Sequence, residues 1–85
     1  MSRKDRILHE LEQALSPSEL ELIDDSHKHK GHRGTHQNGE SHYQLYIKSA
    51  DFDGLSLVQC HRKVNALLKE EFNTGLHALQ IHIKR

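Results

Sequence analysis

The sequence predicts a small α+β fold in which helices cover one face of a three-stranded sheet. Two segments carry apolar residues at helical spacing, and two others alternate apolar and polar residues as half-buried strands do. With one further short apolar run, the predicted order is helix, strand, strand, helix, strand. A chain of 85 residues has room for one domain with a modest core. We therefore expect a single split α+β sandwich over residues 1–85.

The first two predicted elements are a helix over residues 2–15 and a short strand over residues 20–24. Ser2 followed by Asp5 is typical of a helix N-terminal cap. Pro17, which stands between two serines, indicates that the helix ends before it. One face of this helix is expected to pack on the sheet. The predicted apolar stripe consists of Ile7, Leu8, Leu11 and Leu15.

A long polar loop is predicted over residues 26–41, which contain almost no apolar side chains and are rich in histidine. Loops of this length are uncommon in compact domains and are usually functional or disordered. The loop is followed by residues 42–48, where positions 43, 45 and 47 are apolar and predict a half-buried strand.

The second half of the chain predicts a turn at Phe52, with room for an extra turn of helix before residue 57, then one long helix and a last strand. The long helix is expected over residues 56–72, with Gly75 at a left-handed helix end. Residues 79–83 alternate as a strand, and His77 lies at the edge of its core-facing side. The predicted core stripe of the long helix is Leu57, Val64, Leu67, Leu68 and Phe72.

Composition excludes several classes of protein. Lys+Arg and Asp+Glu balance at 12 each, whereas nucleic-acid binders usually carry a basic excess. The single cysteine, Cys60, excludes an internal disulfide and a multi-cysteine zinc site. No apolar run approaches the roughly 20 residues of a membrane span, and the basic start of the chain leads into acidic residues, so we expect a cytoplasmic protein. No catalytic or phosphate-binding motif is present, and an enzyme is not expected.

Histidine is the most informative residue type in this chain, because it is the commonest metal ligand and titrates near neutral pH. A solvated polar loop explains each loop histidine, taken alone, as well as a metal site does. A histidine at the start of a core strand, such as His77, more often has a structural role. Cys60 and His61 are adjacent on a helix and point about 100° apart, which argues against a catalytic pair. Five of the nine histidines fall in one stretch: His27, His29, His32, His36 and His42.

An ordered set of short motifs, from about residue 5 to the end of the chain, resembles the BolA family. No single motif is decisive, but all of them occur in the order that the family shows. The motifs are Asp24-Asp25-Ser26-x-x-His29, Gly39-Glu40-Ser41-His42-Tyr43, Ser49-x-x-Phe52-x-Gly54-x-Ser56, His61-Arg62-x-Val64, Leu68-x-x-Glu71 and Leu76-His77-Ala78-Leu79-x-Ile81.

The resemblance implies an α-β-β-α-α-β fold, similar to the type II KH arrangement, and a partner. BolA-like proteins pair with monothiol glutaredoxins and share a [2Fe-2S] cluster, to which the glutaredoxin contributes a cysteine and a bound glutathione. On the BolA side the resemblance assigns the ligands to His77 and to His29, and His32 or His27 could replace His29. A monomer or weak homodimer is expected alone, and a heterodimer with the partner. No metal role is expected for His9, His36, His42 and His82.

Two other functions stay open. The first is that of a DNA-binding transcriptional regulator, a role of some proteins in this family, which would use the KH-like fold and the long helix. The second is a partner-free zinc or nickel buffer that uses the His-rich loop. The residues assigned to DNA contact are His61, Arg62, Lys63 and Lys69.

Overall fold

The computed structural model describes residues 2–25 and 42–85, so the predicted loop and the four histidines between residues 26 and 41 lie outside the described residues. The described elements follow the expected α-β-β-α-α-β order. Among them, no helix combines the length and the apolar character needed to cross a membrane. The elements are α1 (Arg3–Leu15), β1 (Glu19–Asp24), β2 (His42–Lys48), a 3-10 turn (Ala50–Phe52), α2 (Leu57–Leu67), α3 (Lys69–Asn73) and β3 (Ala78–Lys84).

The three strands form one mixed sheet with β2 in the centre. β1 pairs antiparallel with β2, and Glu19 lies opposite Lys48. β3 pairs parallel with β2, and the register runs from His42 opposite Ala78 to Lys48 opposite Lys84. A parallel pair needs a crossover connection, which α2 and α3 supply here. The predicted α+β fold is confirmed.

The core lies between the helices and one face of the sheet, as the alternation in β2 predicts. The opposite face carries Tyr46 stacked on His82, with ring centroids 4.3 Å apart. Residues on that face are at least partly exposed, so the described helices cover one side only. The buried apolar residues are Ile7, Leu11, Leu15, Leu22, Tyr43, Leu45, Ile47, Phe52, Cys60, Val64, Leu68 and Leu76.

The predicted first helix is confirmed together with its cap. The Ser2 side chain accepts a hydrogen bond from the Asp5 backbone N–H at 3.1 Å. This bond satisfies one of the backbone donors that a helix N-terminus leaves without an intrahelical partner. Ser16 closes the helix in the left-handed conformation, with φ of 42°. The chain can therefore turn sharply into β1 within a few residues.

The prediction of one helix over residues 56–72 is wrong. The backbone changes direction at Leu68, whose φ and ψ of −102° and 16° leave the helical region, and α3 starts at the next residue. Leu68 is buried, and the new direction brings Glu71 into the interior, where its carboxylate meets two arginines of α1. Phe72 is consequently 36% exposed and does not join the core stripe.

Of two smaller expectations at the ends of these helices, the one for Leu57 is also wrong. Leu57, the first residue of α2, is 54% exposed. Helical periodicity identifies a face, but it does not show where along the helix the contact with the sheet begins. The other expectation is confirmed, because Gly75 directly follows Thr74, the C-terminal cap of α3, and has a positive φ of 133°.

Candidate functional site

The candidate site lies at the end of the sheet where β2 and β3 both begin. His42 is the first residue of β2, and His77 immediately precedes β3. Because the two strands are parallel and His42 is opposite Ala78, the residue before Ala78 comes close to His42. The ring centroids of His42 and His77 are 6.1 Å apart, with the ring planes tilted by 32°. Two imidazoles therefore meet at one edge of the sheet.

The end of β1 contributes to the same place. The Asp25 backbone N–H donates to the His42 carbonyl at 2.8 Å, and the Gln44 side chain donates to Asp25 Oδ2 at 2.9 Å. These contacts hold Asp25 beside the first residues of β2. A pocket of about 140 Å³ opens here, lined by Asp25, His42, Tyr43, Ala78 and Gln80. It is smaller than the roughly 300–1,000 Å³ of sites for drug-sized ligands.

The segment that leads to His77 is contacted by Arg3 of α1. Its guanidinium donates to the Glu71 carboxylate at 2.7 Å and to the Thr74 carbonyl at 3.0 Å. Arg6 donates to the same carboxylate through Nε at 2.9 Å and Nη2 at 3.1 Å. The hydrogen bond from Arg6, with the positive charges of Arg6 and Arg3, holds the pKa of Glu71 below its usual value in spite of burial.

The distance between the His42 and His77 rings can be compared with that of two imidazoles bound to one metal ion. Two imidazoles on one metal ion, with metal–nitrogen bonds of about 2.0–2.1 Å, bring their ring centroids to roughly 5–6 Å. The observed 6.1 Å is near that range. Within residues 2–25 and 42–85, however, no three His, Cys, Asp or Glu side chains are grouped to hold a metal ion. A metal bound at this edge needs further ligands from elsewhere.

Only one of the predicted ligands, His77, lies among the described residues. His77 is exposed at the start of the last strand, as expected. The other predicted ligands, His29 and the alternatives His32 and His27, lie outside the described residues. His42 carries no predicted metal role, yet the structure places it beside His77. The signal for this neighbour is that both residues stand at the start of strands that pair in parallel.

The residues assigned to DNA contact do not share one helix. Arg62 and Lys63 are exposed on α2, and His61 beside them is half-buried. Lys69 belongs to α3, beyond the change of direction at Leu68. Cys60 is fully buried, as expected for a small core residue.

Comparisons with known proteins cover nearly the whole chain. A family model described as BolA-like protein matches residues 11–85. UV-induced protein uvi31 of Schizosaccharomyces pombe is 46% identical over 84 residues, which are 95% of this chain and 82% of that protein. The DNA-binding transcriptional regulator BolA of Haemophilus influenzae is 36% identical over 83 residues, with 98% and 77% covered. The solved structure of BolA1 from Arabidopsis thaliana has a TM-score of 0.88 at 42% identity, and the match covers 99% of this chain and 92% of that one. All these matches include most of the described fold.

Proposed function

This chain belongs to the BolA family, and on that basis we propose that it is an adaptor that pairs with a monothiol glutaredoxin and shares a [2Fe-2S] cluster with it. The family is not enzymatic. The adaptor acts in the assembly or trafficking of iron–sulfur clusters or in iron regulation, in the cytoplasm. On its own the protein is a monomer or a weak homodimer.

In this proposal the ligands come from both proteins. The glutaredoxin contributes a cysteine and a bound glutathione thiolate, and this chain contributes His77 and His29, with His32 as the alternative to His29. The observation that supports the proposal is the position of His77. Its imidazole is exposed at a sheet edge, next to a second imidazole, and the described residues do not complete a ligand set around it. An incomplete, exposed set suits a centre that a second protein completes.

The choice of imidazole has chemical consequences. A [2Fe-2S] cluster supplies one-electron redox capacity, and histidine ligands in place of thiolates raise its reduction potential. An imidazole binds a metal only in its unprotonated form.

The test is to mix the protein with a cluster-loaded monothiol glutaredoxin and to record visible absorption and circular dichroism of the purified heterodimer. We expect His77→Ala and His29→Ala each to change the spectrum, and His32→Ala to leave it unchanged. His82→Ala is the matched control, because His82 is an exposed histidine of β3 remote from the sheet edge that carries His77. A His77→Ala heterodimer with the wild-type spectrum would refute the ligand assignment.

His42 requires its own variant in the same experiment. If the spectrum changes in His42→Ala and not in His29→Ala, the second imidazole is the neighbour within the sheet and the loop assignment is wrong. The opposite result supports His29. Size-exclusion chromatography of each mixture shows whether the heterodimer still forms, so that loss of pairing is not mistaken for loss of a ligand.

A second candidate function is DNA binding. It is favoured by the similarity to a relative named as a DNA-binding transcriptional regulator and by the exposed Arg62 and Lys63 on α2. Each phosphate contact contributes about −0.9 to the slope of log affinity against log salt concentration. We expect the double variant Arg62→Ala, Lys63→Ala to reduce the magnitude of that negative slope by about 2 on duplex DNA. Absent binding, or binding that does not depend on salt, rejects this function.

A further inference from the structure

We propose that Arg3 is a positioning residue for His77, and that it sets the direction in which the His77 imidazole faces at the sheet edge. This inference rests on the proposed function only where it concerns the cluster. Its geometric part, the placement of His77 beside His42, belongs to the protein alone and can be measured without a partner.

The contacts of Arg3 span the end of α3 and the turn that follows it. Nη1 donates to Glu71 Oε1 at 2.7 Å, to the Glu71 carbonyl at 3.2 Å and to Thr74 Oγ1 at 3.1 Å. Nη2 donates to the Thr74 carbonyl at 3.0 Å. The Arg3 side chain is 11% exposed; its bonds to Glu71 are partly buried, and its bonds to Thr74 are exposed. One guanidinium thus fixes both ends of residues 71–74.

Gly75 and Leu76 connect the Arg3 contacts to His77. Gly75 passes directly under Arg3, because a Cβ on Gly75 would lie 2.8 Å from Arg3 Nη2. Its φ of 133° is also unfavourable for any residue with a side chain. Leu76 is then anchored in the core at 3% exposure, and its N–H donates to the Glu71 carbonyl at 2.9 Å. His77 is the next residue, so the position of its backbone depends on the contacts of Arg3 and Leu76.

Arginine suits this role because of its shape. The planar guanidinium presents five N–H donors in a fixed fork and can serve a carboxylate and two other acceptors together. A lysine keeps the positive charge but has a single ammonium group, which cannot reach the Glu71 carboxylate and the Thr74 carbonyl in the same arrangement. Arg3→Lys therefore keeps a positive charge beside Glu71 but cannot keep all the hydrogen bonds of the guanidinium to Glu71 and Thr74.

Arg6 provides a matched control. It donates to the same Glu71 carboxylate from the same helix, and its side chain is 43% exposed. Arg6→Lys alters one of the two guanidinium groups paired with Glu71 and leaves the bonds from Arg3 to Thr74 in place. A role in stability alone therefore affects both variants, whereas positioning of His77 affects Arg3→Lys.

The first experiment uses the protein without its partner. Nuclear Overhauser effects between the ring protons of His42 and His77 report their proximity, and amide hydrogen exchange at Leu76 reports the turn. We expect Arg3→Lys to lose the ring–ring effect and to exchange at Leu76 about tenfold faster after correction for global stability, while Arg6→Lys keeps both. Gly75→Ala, which displaces Arg3 without removing it, should behave as Arg3→Lys. If Arg3→Lys and Gly75→Ala both keep the ring–ring effect and exchange at Leu76 at the wild-type rate, the inference is wrong.

The second experiment uses the heterodimer loaded with its cluster. We expect Arg3→Lys to shift the visible circular dichroism in the same direction as His77→Ala, to add nothing in the double variant, and to leave pairing intact. Arg6→Lys should give the wild-type spectrum. If His77→Ala itself changes nothing, the proposed ligand assignment fails, and the ring–ring measurement still decides whether Arg3 positions His77.

Discussion

Replacement of Glu71 by glutamine tests whether the ion pairs between α1 and α3 stabilise the fold. Glu71 is 8% exposed, and its carboxylate accepts three hydrogen bonds from two guanidinium groups. Glutamine has nearly the same shape, so the substitution removes the charge and one acceptor oxygen without creating a cavity. The free energy of unfolding should therefore change for electrostatic reasons.

The magnitude follows from the exposure of each pair. The bond between Arg3 and Glu71 joins two side chains that are each 11% exposed, and a hydrogen bond to a charged group contributes about 1.5–3 kcal/mol. The Arg6 side chain is 43% exposed, and solvent screening reduces its share to at most about 1 kcal/mol. Since glutamine keeps one acceptor, we expect a loss of about 2 kcal/mol. For a domain of this size that lowers the melting temperature by roughly 8–16 °C.

The dependence on pH gives the substitution its signature. The pKa of Glu71 is lowered in the folded protein from an ordinary value of 4.5, so the stabilising contribution is complete above that pH. This contribution is lost as the pH falls through the lower pKa that Glu71 has in the folded state. Protonation then removes the negative charge that pairs with the two arginines. The difference in free energy of unfolding between wild type and Glu71→Gln, here called the gap, should therefore be widest near neutral pH and should narrow below pH 4.5.

Urea titrations followed by circular dichroism at pH 7 and at acid pH measure both quantities. All other residues are the same in wild type and variant, so their contributions cancel in the difference. A gap below about 0.5 kcal/mol at neutral pH, which is the usual scatter of surface substitutions, would refute the reasoning. So would a gap of about 2 kcal/mol that persists unchanged after Glu71 has been protonated.

Three further substitutions are tested by the same titrations. Ser49→Ala removes a buried hydroxyl that donates to the Leu15 carbonyl at 2.6 Å, and we expect a loss of about 1–3 kcal/mol. An unchanged midpoint would show that this bond adds nothing. Phe52→Ala empties a fully buried site and should lower the free energy of unfolding by about 3–5 kcal/mol. A loss below about 1 kcal/mol would contradict its place in the core. His82→Ala breaks the stack on Tyr46 and should cost about 0.5–1.5 kcal/mol, so a larger loss would mean that the open sheet face is a second core.

Features that depend on near neighbours in the chain are predicted correctly. The alternation over residues 42–48 identifies both the strand and its buried face, since Tyr43, Leu45 and Ile47 all lie in the core. The cap at Ser2 is equally local, because donor and acceptor are three residues apart. The α+β class follows from the order of such elements.

The change of direction at Leu68 could not be predicted in this way. Periodicity alone continues the apolar stripe to Phe72 and treats Glu71 as a solvated residue. The two arginines that draw Glu71 inward are remote in sequence, on α1, and nothing near residue 71 announces them. Glu71 has its charged partners in another element, and helical periodicity does not report such contacts.

The candidate site shows the same division between local pattern and packing. The resemblance of ordered motifs was sufficient to place one ligand candidate at His77 and to identify the family. Its neighbour His42 became apparent only with the sheet, because parallel pairing of β2 with β3 brings the two strand starts together. Arg3 depends still more on the tertiary structure, since it reaches Glu71 and Thr74 across nearly the whole length of the chain. Side-chain spacing reports contacts within one helix or strand, whereas contacts between elements depend on how the whole core packs.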